Sequence, residues 1–155
     1  MWLTYEELQD AYPSVNIVEM DLSEVKGLKG LCVDDNIAIR QDIRTQTEKS
    51  CVLAEELGHY HTTYGDILDL DNVQNRKQEF RARMWGYDRL IGLKGIIQTY
   101  KRGCRNPAEM AEELDVTEEY LLEALNAYRS KFGTRTTADG YVIYFEPSLA
   151  VMKLY

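Results

Sequence analysis

Residues 53–60 read Leu-Ala-Glu-Glu-Leu-Gly-His-Tyr, and the spacing inside this stretch constrains the fold more than any other feature of the chain. Glu55 and His59 stand four residues apart, so a helix carries them on one face, one turn above the other. The pattern is H-E-x-x-H with a glutamate in place of its first histidine. In the intact pattern the residues at i and i+4 ligate zinc, and the glutamate at i+1 takes a proton from water as general base. Here those places fall to Glu55, His59 and Glu56. A carboxylate ligates zinc at about 2.0–2.2 Å, close to the imidazole distance, so the donor set remains chemically sound. The extra negative charge makes the ion a weaker Lewis acid.

One helix cannot close such a site, and a third ligand has to come from another element. Glu79 is the candidate. It lies twenty residues beyond His59, enough for a loop and a second helix that crosses the first. The position six residues beyond His59 is Gly65, which has no donor, and Asp66 is one residue out of register. Without a cation, Glu55, Glu56 and Glu79 would share one site, and their repulsion is expected to raise at least one pKa.

The flanking sequence supplies a frame. A capping box at Thr4 and Glu7 opens a short helix that Pro13 ends. Val15 to Leu22 reads as a strand; Lys29 to Val33 and Ile37 to Arg40 read as a hairpin around Asp34-Asp35-Asn36, giving a small antiparallel sheet. The motif helix begins near Thr45 or Thr47, with Gly65 as its stop. A long helical pattern resumes near Val73 and runs through Phe80, Met84, Trp85, Tyr87, Leu90 and Ile91, with an end blurred by Gly92 and Gly95. Asn106 to Phe132 reads as two helices, with Pro107 at a first helical position, Thr117 before the second and Gly133 after it. Tyr141 to Phe145 and Leu149 to Leu154 read as a strand-like tail. The expected fold class is α+β, with the sheet packed on the motif helix and a helical C-terminal half.

Composition bounds what such a frame can do. With 155 residues, one domain over 1–155 is expected, made of a core over 1–100 and a helix pair and tail over 106–155. The net charge of -8 repels phosphate backbones and anionic lipid, so neither nucleic acid nor membrane is an expected partner. Cys32, Cys51 and Cys104 are odd in number and widely spaced, which argues against a disulfide framework or a cysteine zinc site. The first ten residues have neither a basic nor an apolar region of a secretory signal, and a cytoplasmic location is expected.

The run Cys51 to Tyr60, followed by Lys77-Gln78-Glu79 and Ala82, resembles the ImmA/IrrE family of zinc metallopeptidases, in its phage and mobile-element members. The preceding hairpin, Gly58 and the paired helices from Ala111 to Gly133 extend the resemblance over most of the chain, with its core between Ile37 and Ile91. The resemblance implies a zincin-like fold, Zn²⁺ as cofactor, and cleavage of a helix-turn-helix repressor as the activity. It implies Glu56 as base and His59 and Glu79 as metal ligands. The family's first histidine is absent, and Glu55 takes its role by position only. A second reading keeps the fold without the chemistry: a degenerate member that binds and sequesters a repressor or another protein. A third takes the acidic helix pair as an interaction module.

Other residues have plainer readings. His61 lies roughly 200° around the helix from His59 and cannot share its face while the helix continues. Tyr60 and Tyr64 are two of 11 tyrosines, and a structural role is the default for each. Phe80, Met84 and Trp85 read as core, and Cys51 as a small apolar filler. Asp66, Asp69 and Asp71 lack the glycine and terminal glutamate of a calcium loop. The cations Arg76, Lys77, Arg81, Arg83, Arg89, Lys94, Lys101, Arg102 and Arg105 form either a charged surface balancing the acidic remainder, a docking face for an acidic partner or a weaker nucleic-acid contact. The helix pair has helix-turn-helix spacing, but its second helix opens with Glu118-Glu119, which disfavours reading of DNA.

Overall fold

The computed structural model describes residues 3–62 and 73–155. Gly65, Tyr64, Asp66, Asp69 and Asp71, which the sequence singles out, lie outside the described residues. The chain divides into two compact units, Met1–Arg89 and Leu90–Tyr155. The α+β class expected from the sequence holds in both.

The first unit opens with α1 (Tyr5–Asp10), whose capping box is complete: the Glu7 amide donates to Thr4 Oγ1 at 3.1 Å and the Thr4 amide to Glu7 Oε2 at 2.9 Å. Three strands follow, β1 (Asn16–Met20), β2 (Gly30–Val33) and β3 (Asn36–Arg40). β2 and β3 make the expected antiparallel hairpin, with Asp34 at a positive φ of 52° in the turn. β1 departs from the expected antiparallel arrangement and runs parallel to β3, so the spatial order is β1-β3-β2. The segment 21–29 explains this: it is long enough to carry the chain past the site of β3, so that β2 starts at the far edge and the tight turn folds β3 back between them.

Alternation then sorts the faces. Ile37 and Ile39 are fully buried against α2 (Gln46–Thr62), while Val18, Met20, Leu31 and Val33 point outward and are 41–53% exposed. Thr45 caps α2 by accepting the Glu48 amide at 3.1 Å. Cys51, Leu53, Ala54 and Leu57 form the buried side of α2. Buried Lys49 on α2 reaches Glu19 on β1 at 2.7 Å, a charge pair that fixes the helix against the sheet. The helix α3 (Val73–Leu90) completes the unit, burying Ala82, Met84 and Tyr87.

In the second unit, α4 (Gly92–Lys101) is followed by α5 (Pro107–Leu114) and α6 (Glu118–Phe132). Asn106 and Thr117 cap the latter two by accepting the Glu109 and Tyr120 amides. The C-terminal segment is more than the expected tail: β4 (Arg135–Ala138), β5 (Tyr141–Tyr144) and β6 (Ala150–Lys153) form a three-stranded antiparallel sheet in chain order. Tyr128, Phe132 and Phe145 cluster at ring separations of 6.2–6.4 Å, with Leu114, Leu121 and Ile143 fully buried. All three cysteines are free thiols. No helix among the described residues is long and apolar enough to cross a membrane.

Candidate metal centre

Two consecutive helices of the first unit build the site, and glycine decides how closely they cross. A methyl group at Gly58 would overlap the carbonyl oxygen of Ala82 and come within 2.9 Å of its carbonyl carbon. With hydrogen there instead, the backbone of α3 lies directly on α2. His59, next to that contact, meets Glu79, one turn before Ala82. Their Nε2 and Oε1 atoms are 3.4 Å apart.

Glu55 lies one turn above His59 on α2, and the helix brings its carboxylate to the same place. One ligand atom from each of Glu55, His59 and Glu79 lies within 4.8 Å of the others. In a tetrahedral site with bonds of about 2.1 Å, ligand atoms sit about 3.4 Å apart. The His59–Glu79 pair is already at that distance, and a Glu55 donor lies within 4.8 Å of both. One imidazole and two carboxylates are sound zinc donors, and the set fits the ion. Arg83, one turn beyond Glu79, lies 3.7 Å from the same carboxylate oxygen.

Glu56 faces a different neighbour. Its chain lies against Gly30 of β2: a methyl group on Gly30 would come within 2.8 Å of Glu56 Cγ and 2.9 Å of Val52 Cγ1. The edge strand therefore walls in the carboxylate. Burial pushes the Glu56 pKa up to about 7 from an ordinary 4.5; the charges of Glu55 and Glu79 add to the rise and His59 opposes it. A raised carboxylate was expected from repulsion among the three acids, but removal from water is the larger cause. The same wall affects Cys32, whose thiol is pushed up to about 11 by burial and then by the Glu56 charge.

His59 and Glu79 shift in opposite directions. Burial disfavours the imidazolium, yet the Glu79 hydrogen bond and the surrounding carboxylates outweigh it and raise the His59 pKa. The hydrogen bond from His59 holds Glu79 below the usual carboxylate range against the effect of burial. Each partner thus favours the charged form of the other.

The remaining candidates are placed elsewhere. α2 continues through Thr62, so His61 stays off the ligand face and stacks on Trp85 at 4.6 Å, with Tyr12 at 5.1 Å and Tyr60 at 5.0 Å. Burial lowers its pKa. Met84 is buried as expected, and Trp85 is half-buried in that ring cluster. Gly30 is the residue that sequence reasoning missed. A glycine inside a strand pattern signals close approach of another group, and that signal was present. A separate cavity of about 500 Å³ in the second unit, between α4, α5, α6 and β6, is lined mostly by apolar side chains. Two of its polar groups are engaged within the fold: Thr99 donates to the Ile96 carbonyl, and Asn106 caps α5.

No protein-family model, curated protein or solved structure matches the chain, so the functional reading rests on this constellation of residues.

Proposed function

We propose that this protein is a zinc-dependent endopeptidase of ImmA/IrrE type, with a zincin-like core, that acts in the cytoplasm on a helix-turn-helix repressor of a phage or mobile element. The observation that carries the reading is the convergence of Glu55, His59 and Glu79 donor atoms within 4.8 Å, beside a carboxylate whose pKa lies near 7. Glu55, His59 and Glu79 would hold the ion. Bound zinc supplies Lewis acidity toward a peptide carbonyl and toward water. Glu56 accepts the proton of the attacking water and delivers it to the leaving amine nitrogen. Burial against Gly30 raises the Glu56 pKa in the metal-free chain, and a bound cation would lower it again, leaving an ionised carboxylate to accept the proton.

The decisive measurement is metal content after purification, followed by zinc titration: one equivalent per chain is expected, and no uptake at micromolar zinc would sink the enzyme reading. With zinc retained, Glu56→Gln is expected to abolish repressor cleavage; unchanged cleavage would refute the base role. The alternative, a degenerate member that sequesters its partner, is favoured by one observation: glutamate stands in the first ligand place. Metal uptake separates the two.

A further inference from the structure

The helix that supplies Glu79 carries a second feature. α3 holds five arginines and lysines against two carboxylates, in a chain whose net charge is -8. Three of those cations, Arg76, Lys77 and Arg81, are exposed and line a cavity of about 450 Å³ together with Phe80. Lys77 and Arg81 have no carboxylate partner among the described residues. Spacing by i, i+4 relates Arg76 to Phe80 and Lys77 to Arg81, so the four side chains share one flank of the helix.

We propose that this flank captures an acidic segment of a polypeptide, two or three Asp or Glu residues beside an apolar side chain that rests on Phe80. The dimensions favour this partner. From Arg76 to Arg81 the helix rises about 7.5 Å, the reach of two to three residues of extended chain. A cavity of this size admits one apolar side chain between the charges. Nucleic acid is the poorer fit: three cations neutralise few phosphates, and the acidic remainder of the chain repels the rest. The field of an isolated positive strip on a negative molecule steers acidic chains to it. Because Glu79 sits within the same two turns, a segment held here lies about one helix diameter from the metal ligands. The captured chain's role as substrate rests on the metallopeptidase reading; the capture itself needs no metal.

Fluorescence anisotropy with the metal-free full chain tests it. One short labelled peptide carries Asp-Glu-Phe-Glu-Asp, and its counterpart carries Asn-Gln-Phe-Gln-Asn. The acidic peptide is expected to bind at least about tenfold more tightly, with affinity falling as salt rises. Lys77→Glu/Arg81→Glu, at exposed positions, is expected to remove at least that factor while keeping the circular dichroism spectrum. Arg135→Glu/Lys153→Glu changes the net charge equally in the second unit and is expected to leave binding within about twofold. Equal binding of the two peptides, equal loss in both double variants, or tighter binding of a short single-stranded DNA would overturn the proposal. Capture retained by a chain that takes up no zinc supports the surface and removes the peptidase reading. Zinc uptake without preference for the acidic peptide overturns the surface alone.

Discussion

Glu56 costs the metal-free protein stability at neutral pH, and the sign of that effect follows from its raised pKa. The folded chain holds this proton more tightly than the unfolded chain, so the group favours folding fully below its ordinary value of 4.5 and loses that contribution as pH rises through about 7. Above that, the buried charge costs on the order of 3 kcal/mol. In chelator, Glu56→Gln is therefore expected to melt more than about 5 °C above the parent chain at pH 8, with the difference vanishing near pH 4. His59 and Glu79 limit each other's range. Glu79, held low, contributes stability that is lost as pH falls through its folded value; His59, held high, contributes stability that is lost as pH rises through its own. Zinc must displace the His59 proton, so uptake is expected to weaken as pH falls and to release protons, measurable by calorimetry in buffers of different ionisation heat. Glu55 is the third lever. Glu55→His restores two imidazoles, and zinc affinity is expected to rise on the order of tenfold, about 1.4 kcal/mol, in competition with a chromogenic chelator.

Between elements, two glycines do different work, and their substitutions separate stability from function. Gly58→Ala drives a methyl group into the backbone of Ala82, which cannot rotate away; a loss above about 3 kcal/mol is expected in denaturant unfolding. Gly30→Ala meets side chains that can give, Glu56 and Val52, so a smaller loss of about 1 kcal/mol is expected, together with a displaced Glu56 pKa by NMR titration. Both glycines stand at element contacts, and although each left a signal in the sequence, only for Gly58 did that signal name the partner. Gly58 belongs to a recognisable motif, whereas the role of Gly30 depends on where β2 lies, and that depends on strand order. Order was the hidden quantity. A hairpin is local and its turn residues announce it, but the parallel pairing of β1 with β3 is set by a connection that sequence periodicity does not describe. β4 was hidden for another reason. Its residues, Arg135-Thr136-Thr137-Ala138, are too polar to read as a buried strand, although the Asp139-Gly140 turn after it has both residues at positive φ and signals a hairpin. The helices α5 and α6 were legible because their ends are chemical, with Asn106, Thr117 and Gly133 standing where a cap or stop is needed, whereas α4 was not read as a helix of its own and has no side-chain cap.

For the molecule as a whole, the candidate metal ligands are concentrated rather than spread. Glu55, His59 and Glu79 all lie in the unit Met1–Arg89, on two helices consecutive in sequence. Hydrogen exchange with added zinc is accordingly expected to slow in α2 and α3, and His59→Ala to abolish that slowing; unchanged exchange in both would contradict the site. The contact of Gly58 with Ala82 has a last consequence, one of reversibility. It sets the crossing of α2 and α3 by packing, so an ion at the proposed site would enter between two helices that already meet. Small zinc domains that fold only with their metal lose their structure to a chelator. This protein is expected instead to give up and regain its ion with the helical circular dichroism signal intact, so that metal supply can govern its state without passing through the unfolded chain.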